Sequence, residues 1–143
     1  MSTDHFRKLE RMYHAAPIAD TIEATLTVRE GEAEVVVPVD ERYHHPLGGA
    51  HGALYFKALD DAAFFAANSL VEDHFLLTTD FDLYFERPVA DGEIRAVGEV
   101  FNANPNQLLA SAIAYDGDGN EIARGSGTFV ASDVALTPEI GYE

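Results

Sequence analysis

At 143 residues, 47% hydrophobic and 24% charged, the chain has the size and composition of one compact globular domain, and a second domain does not fit. It contains no cysteine, which excludes disulfides, thiolate metal centres and thiol nucleophiles. Asp and Glu number 25 against 9 Lys and Arg, a formal net charge of -16, so nucleic acid, which needs several cations gathered on one face, is not an expected partner. Such an acidic surface serves solubility or adaptation to high salt, where self-repulsion is screened. The first residues are polar and no apolar run approaches the roughly 20 residues of a membrane span, so neither leader nor anchor is expected and a cytoplasmic location is.

Phe6, Leu9, Met12 and Tyr13 recur at helical spacing, which predicts a short amphipathic helix over residues 3–14, ended by Pro17. Residues 21–29 and 32–39 are β-rich and divided by Glu30-Gly31, the pattern of a hairpin. A glycine-containing loop then leads into residues 52–69, alanine-rich and free of internal Gly or Pro, the principal helix. Strands are expected over 76–85, 93–101, 107–115 and 121–131, with Asp116-Gly117-Asp118-Gly119-Asn120 as a strong hairpin turn. The order implies an α+β arrangement with an antiparallel sheet packed on one long helix. That helix is apolar on nearly all sides, so the sheet must curl around it or a second subunit must cover the remainder.

The loop His44-His45-Pro46-Leu47-Gly48-Gly49-Ala50-His51-Gly52 feeds a helix N-terminus, where free N–H groups and the dipole favour a developing oxyanion. On the same helix Asp60 lies one turn from both Phe56 and Phe64, and a carboxylate on that stripe is costly unless it is used or paired. Lys57 precedes Asp61 by four residues, the spacing of an ordinary exposed salt bridge, and precedes Asp60 by three, so a structural ion pair for Asp60 stays an alternative. A metal site built from His44, His45, His51 and Asp60 is disfavoured, because no pair of histidines stands at helical ligand spacing. Thr78 and its polar neighbours alternate with apolar residues, as the polar face of a strand does.

The run from His45 through Gly52 to Asp60, the segment Thr78 to Pro88, and Asp118-Gly119 followed by Ile122 to Gly125 together resemble the hotdog-fold acyl-CoA thioesterases of the phenylacetate-pathway type. The resemblance covers about residues 20–131. It implies a hotdog fold, an antiparallel sheet wrapped around one central helix, within a single domain spanning 1–143 and preceded by a short N-terminal helix. It also implies a homodimer, or a dimer of dimers, with continuous sheets and active sites at the interface. By position, Gly52 would polarise the thioester carbonyl through its N–H, with His51 beside it. Asp60 would act as base or nucleophile, and Thr78 would help to hold the water. His45 stands where the family has Asn or Gln and would serve as a hydrogen-bond donor, while Ala53 replaces a second glycine.

The function expected is hydrolysis of an acyl-CoA to free acid and CoA, with no cofactor, no metal and no membrane partner. Phe56 and Phe64 are candidates for the acyl pocket, and Arg87 and Arg124 for contacts to CoA phosphates. The alternative is a non-catalytic acyl-binding or dimerisation module that has lost the chemistry through the two departures, and a hydratase is weaker still. Helix geometry adds a constraint: Asp60 lies eight residues beyond Gly52, roughly 12 Å at 1.5 Å per residue. One thioester carbon cannot touch both within a chain, which favours a two-fold site with Asp60 and Gly52 from different subunits.

Overall fold

A computed structural model describes residues 2–143. Helix α1 spans Thr3–Ala15, and Ser2 caps it by accepting the His5 N–H. A 3₁₀ turn follows over Pro17–Asp20. Strand β1 begins only at Thr25 and ends at Arg29, so residues 21–24 of the expected strand lie outside it. The reason is local: the Ile18 carbonyl accepts the N–H groups of both Thr21 and Ile22, which continues the turn past Asp20.

Strand β2 is Glu32–Pro38, and α2 is Gly52–Asn68, with Ser69 as its C-terminal cap residue. Strands β3 (His74–Phe85), β4 (Glu93–Ala103), β5 (Leu108–Tyr115) and β6 (Glu121–Ala135) follow. β3, β4 and β6 run past the expected bounds, because β3 and β6 pair with each other from Phe85–Ala123 out to His74–Ala135 and β4 continues against β5. All pairings are antiparallel in the order β1-β2-β4-β5-β6-β3. The Asp116 N–H bonds the Asn120 carbonyl, and Gly119 adopts the positive φ of 85° that the tight turn requires.

The sheet curls around α2, which contacts every strand. Leu59, Ala62, Ala63, Ala66 and Ala67 of the helix are buried against Val35, Val37, Ile94, Ala96, Ala112 and Phe129 of the sheet. The closest approach is at Gly98 of β4, where a Cβ would lie 2.3 Å from the Ala62 carbonyl oxygen and 2.7 Å from the Ala63 nitrogen. A glycine in a strand interior is therefore the condition for seating the helix at this depth. At the far end of α2 the buried Asn68 donates to the Val71 and His74 carbonyls, at 3.1 Å each, and accepts the Leu76 N–H at 3.0 Å. This ties the start of β3 to the end of α2.

The two edges of the sheet differ. Along β1, polar side chains of α1 occupy the open ladder: Glu10 accepts the Val28 N–H at 2.7 Å, His14 accepts the Leu26 N–H at 3.1 Å, and Arg7 donates to the Val28 carbonyl at 2.7 Å. β3 is hydrogen-bonded on one side only, by β6, and exposes Leu77, Tyr84 and Phe85. Long uncovered edges with apolar side chains are the kind that pair with another chain.

Replacing Gly98 with alanine should destabilise the fold by at least the upper end of the roughly 1–3 kcal/mol typical of overpacking, because backbone and not a flexible side chain stands in the way. Urea unfolding of Gly98→Ala reads this directly, and a wild-type midpoint would mean that the helix is not held by this contact.

Candidate active site

Two pockets flank α2, and the expected site residues are divided between them. The first, about 930 Å³, is lined by Asp60, Thr78, Phe64, Phe65 and Phe75, with walls from α1 and the C-terminal turn. The second, about 420 Å³, lies at the helix start and is lined by His45, Gly52, Tyr55, Phe85 and Arg87. No residue lines both, so the carboxylate and the helix N-terminus open in different places on one chain.

At the helix start, the His51 N–H donates to the Tyr43 carbonyl and the His51 carbonyl accepts the Leu54 N–H. The His51 ring accepts the Ala53 N–H through Nδ1 at 2.9 Å. His51 is thus the N-cap of α2. Three of the four orphan donors of a helix N-terminus are satisfied in this way, and the Gly52 N–H is left without an acceptor among the described residues. The Phe85 ring lies over Gly52, 3.2 Å from where a Cβ would be. His45 accepts the Leu47 N–H through Nδ1 at 3.1 Å. In the neutral ring this leaves Nε2 to carry the proton and to donate. The His45 ring packs on Gly49, whose Cβ would stand 3.1 Å from Nε2.

Two turns further along, Asp60 is half-buried and accepts a 2.9 Å hydrogen bond from the Thr78 hydroxyl. Thr78 therefore addresses the carboxylate itself. Burial pushes the Asp60 carboxyl up to about 6; the Thr78 hydrogen bond pulls against this, the Asp61 charge adds to it and Lys57 subtracts from it. The Asp60–Lys57 ion pair does not form. Lys57 instead meets Asp61 Oδ2 at 2.8 Å, and the Tyr13 hydroxyl donates to the same oxygen at 2.7 Å. Nor is Lys57–Asp61 the exposed salt bridge expected from spacing: its side chains are only 13% and 19% accessible, because α1 packs over them. Tyr13 lies 48 residues from Asp61, and no local pattern in the chain announces the contact.

The remaining candidates separate. Phe64 is buried and lines the Asp60 pocket. Phe56 is 40% exposed, lies edge-on to Phe81 and lines neither of these two pockets. Arg87 lines the Gly52 pocket, and its carbonyl accepts the Tyr55 hydroxyl. Arg124 is held by Glu121 through two hydrogen bonds of 2.8 and 2.7 Å and lines neither pocket. His44 bonds the Ala90 carbonyl, and no group of three or more His, Asp or Glu among the described residues is arranged to hold a metal ion.

A carboxyl raised by burial favours the native state most while it is protonated, below the unfolded value of about 3.9, and that contribution is lost as pH rises through about 6. Asp60→Asn keeps the shape and removes the ionisation. It should melt at a higher temperature than wild type at pH 7.5, with the difference vanishing below about pH 4. Thermal melts across this range check it, and a variant less stable at pH 7.5 would mean that the ionised carboxylate has a stabilising partner.

Comparison with known proteins agrees with the architecture. The description of the thioesterase superfamily matches residues 47–123, more than half of the chain. Among solved structures, the chain is similar to the Escherichia coli PaaI protein of the phenylacetic acid degradation operon, with a TM-score of 0.85 and 19% identity over 95% of this chain and 99% of that one. It is also similar to a thioesterase family protein of Silicibacter pomeroyi, with a TM-score of 0.81 and 29% identity over 89% and 97% of the two chains. A Saccharolobus solfataricus protein whose name marks it as a candidate esterase is 28% identical over 85 residues, 59% of this chain. That match spans 57% of the curated relative's own length. No helix among the described residues is long and apolar enough to cross a membrane. With the family matched over the helix that carries Gly52 and Asp60, and with the sheet wrapped around that helix, the chain belongs to the thioesterase superfamily and has the hotdog fold.

Proposed function

We propose that the protein hydrolyses an acyl-CoA thioester, with Asp60 as base or nucleophile and the Gly52 N–H as oxyanion donor. The observation that carries this reading is a half-buried carboxylate bonded by a hydroxyl and paired with no cation among the described residues, at an apolar pocket, on the same helix as an uncommitted N-terminal N–H. As a base, the Asp60 carboxylate takes a proton from water while the hydroxyl oxygen bonds the thioester carbon. The carbonyl electrons move onto oxygen, which the Gly52 N–H stabilises. Collapse re-forms the carbonyl and expels the CoA thiolate, which takes back the proton that Asp60 had removed from water, and the acid is released. As a nucleophile, Asp60 first forms an anhydride with loss of the thiolate, and water then cleaves it. Water labelled in a single turnover distinguishes the two, since only the anhydride route carries label into Asp60.

His45 supports the oxyanion through Nε2 in the place where the resembled family has Asn or Gln, and His51 acts by capping the helix and leaving Gly52 free. Phe64 lines the acyl pocket, and Arg87 is the cation beside the Gly52 pocket suited to a CoA phosphate. Phe56 and Arg124 enter the site only if a second copy brings them to it. We read residues 1–143 as a single domain acting in the cytoplasm.

The division of Asp60 and Gly52 between two pockets, and the uncovered β3 edge, support a homodimer in which Asp60 of one copy faces Gly52 of the other. Pairs of such dimers are compatible with it.

Activity should rise with pH through about 6, as Asp60 ionises. Asp60→Asn should lose about 10²–10⁴ of the rate toward a panel of short, long and aromatic acyl-CoA esters while keeping fold and oligomer. Full activity in that variant would remove Asp60 from the chemistry, and binding without hydrolysis of any ester by the wild-type protein would favour the non-catalytic acyl-binding reading. The shared arrangement is tested with mixed dimers of Asp60→Ala and Gly52→Pro chains; Gly52 has negative φ and stands at the first helical position, where proline is tolerated. Each homodimer should be nearly inactive, and random re-association of equal amounts should recover about a quarter of wild-type activity, one intact site in half of the dimers. No recovery from heterodimers that have formed and folded would put both groups in one chain.

A further inference from the structure

Lys57 can reach either of two carboxylates on its own helix face, Asp60 at three residues and Asp61 at four. The structure commits it to Asp61. Its Nζ lies 2.8 Å from Asp61 Oδ2 and 5.2 Å from the centre of the Tyr13 ring, while the Tyr13 hydroxyl donates to that same carboxylate oxygen at 2.7 Å. Charge, hydrogen bond and ring face therefore hold the ammonium group at one place, under cover of α1. Half-buried ion pairs repay their desolvation poorly, so stability alone gives little reason for this one. Its position does: the pair lines the pocket into which Asp60 opens.

We propose that Asp61, anchored by Tyr13 of α1, is a positioning residue that withholds the Lys57 cation from Asp60. This rests on the catalytic reading of Asp60 given above and adds a reason for three residues that the reaction itself does not require. The groups facing Asp60 are Lys57 and Asp61 from α2, Tyr13 from α1 and Thr78 from β3, with Ser132 of β6 and Glu139 of the C-terminal turn lining the same pocket. Lys57 is the only cation among them. Were it free to pair with Asp60, the carboxylate would ionise more readily but become a weaker base and nucleophile.

The test is the ionisation of Asp60 in the full-length protein, read by carboxyl ¹³C NMR with Asp60→Asn identifying the signal, beside the pH profile of thioester hydrolysis. In Asp61→Asn the Asp60 midpoint should fall by about one pH unit or more, since a repelling charge is lost and a cation is released toward it. The acid limb of the pH profile should follow, and the rate above it should drop. Tyr13→Phe, which removes one anchor from Asp61, should shift the midpoint the same way by less. Lys57→Met should move it upward, and adding Lys57→Met to Asp61→Asn should bring it back up toward wild type. Charge alone gives opposite shifts in Asp61→Asn and Lys57→Met, whereas a merely structural role for the trio would leave the midpoint unmoved in Tyr13→Phe, which changes no charge beside Asp60. An unchanged midpoint in Asp61→Asn, or no return in the double variant, overturns the proposal. The NMR midpoint needs no turnover, so a protein inactive on every thioester would sink the hydrolase reading while leaving this measurement to decide on the withheld cation. Should Asp61→Asn fail to fold, Tyr13→Phe decides: the Asp60 midpoint should fall as the loosened Asp61 lets Lys57 approach, and an unchanged midpoint overturns the proposal.

Discussion

A carboxylate set into an apolar helix face without a cation paired to it is the constraint on which the rest of this structure turns. Burial disfavours the ionised form of Asp60, and the surrounding packing keeps it there. Gly98 lets α2 sink onto β4, Asn68 ties the end of the helix to the start of β3, and β3 delivers the Thr78 hydroxyl to the carboxylate. The cation that could relieve the carboxylate is engaged elsewhere. Asp60 is thus held near the midpoint where a group is both largely ionised at neutral pH and still basic enough to take a proton.

The same helix imposes the second constraint. A rigid α2 separates its open N-terminal amide from Asp60 by two turns, and the pockets at those two points share no lining residue. The chain treats its sheet edges in keeping with this: α1 fills the ladder of β1 with Glu10, His14 and Arg7, whereas β3, which carries Thr78 and ends at Phe85 over Gly52, is left open. An uncovered strand that bears residues of both pockets is where a second copy would join them.

Much of this was legible in the chain because it is written in local spacing. The central helix, the order of strands and the Asp116–Asn120 turn follow from composition and periodicity, and Asp60 stands out as a charge on an apolar stripe. The His51–Gly52 junction is marked by the glycines before the helix. What sequence hides is contact between distant segments. Nothing local links Tyr13 to Asp61, 48 residues away, so the Lys57 pair reads as an ordinary surface bridge. The late start of β1 is of another kind, since the β-prone Thr21 and Ile22 are drawn into a turn by one carbonyl, that of Ile18. Gly98 did carry a signal, a glycine inside a strand, which marks close backbone approach without naming the neighbour.

The most direct measurement is a crystal structure of the protein with a ketone analogue of an acyl-CoA, in which a methylene replaces the thioester sulfur so that the carbonyl persists and cannot be hydrolysed. The carbonyl oxygen should lie within hydrogen-bond distance of the Gly52 N–H of one copy, with the Asp60 carboxylate of another copy facing the carbonyl carbon and the acyl group against Phe64. A carbonyl bound away from both groups, or reached by Gly52 and Asp60 of the same copy, would contradict it.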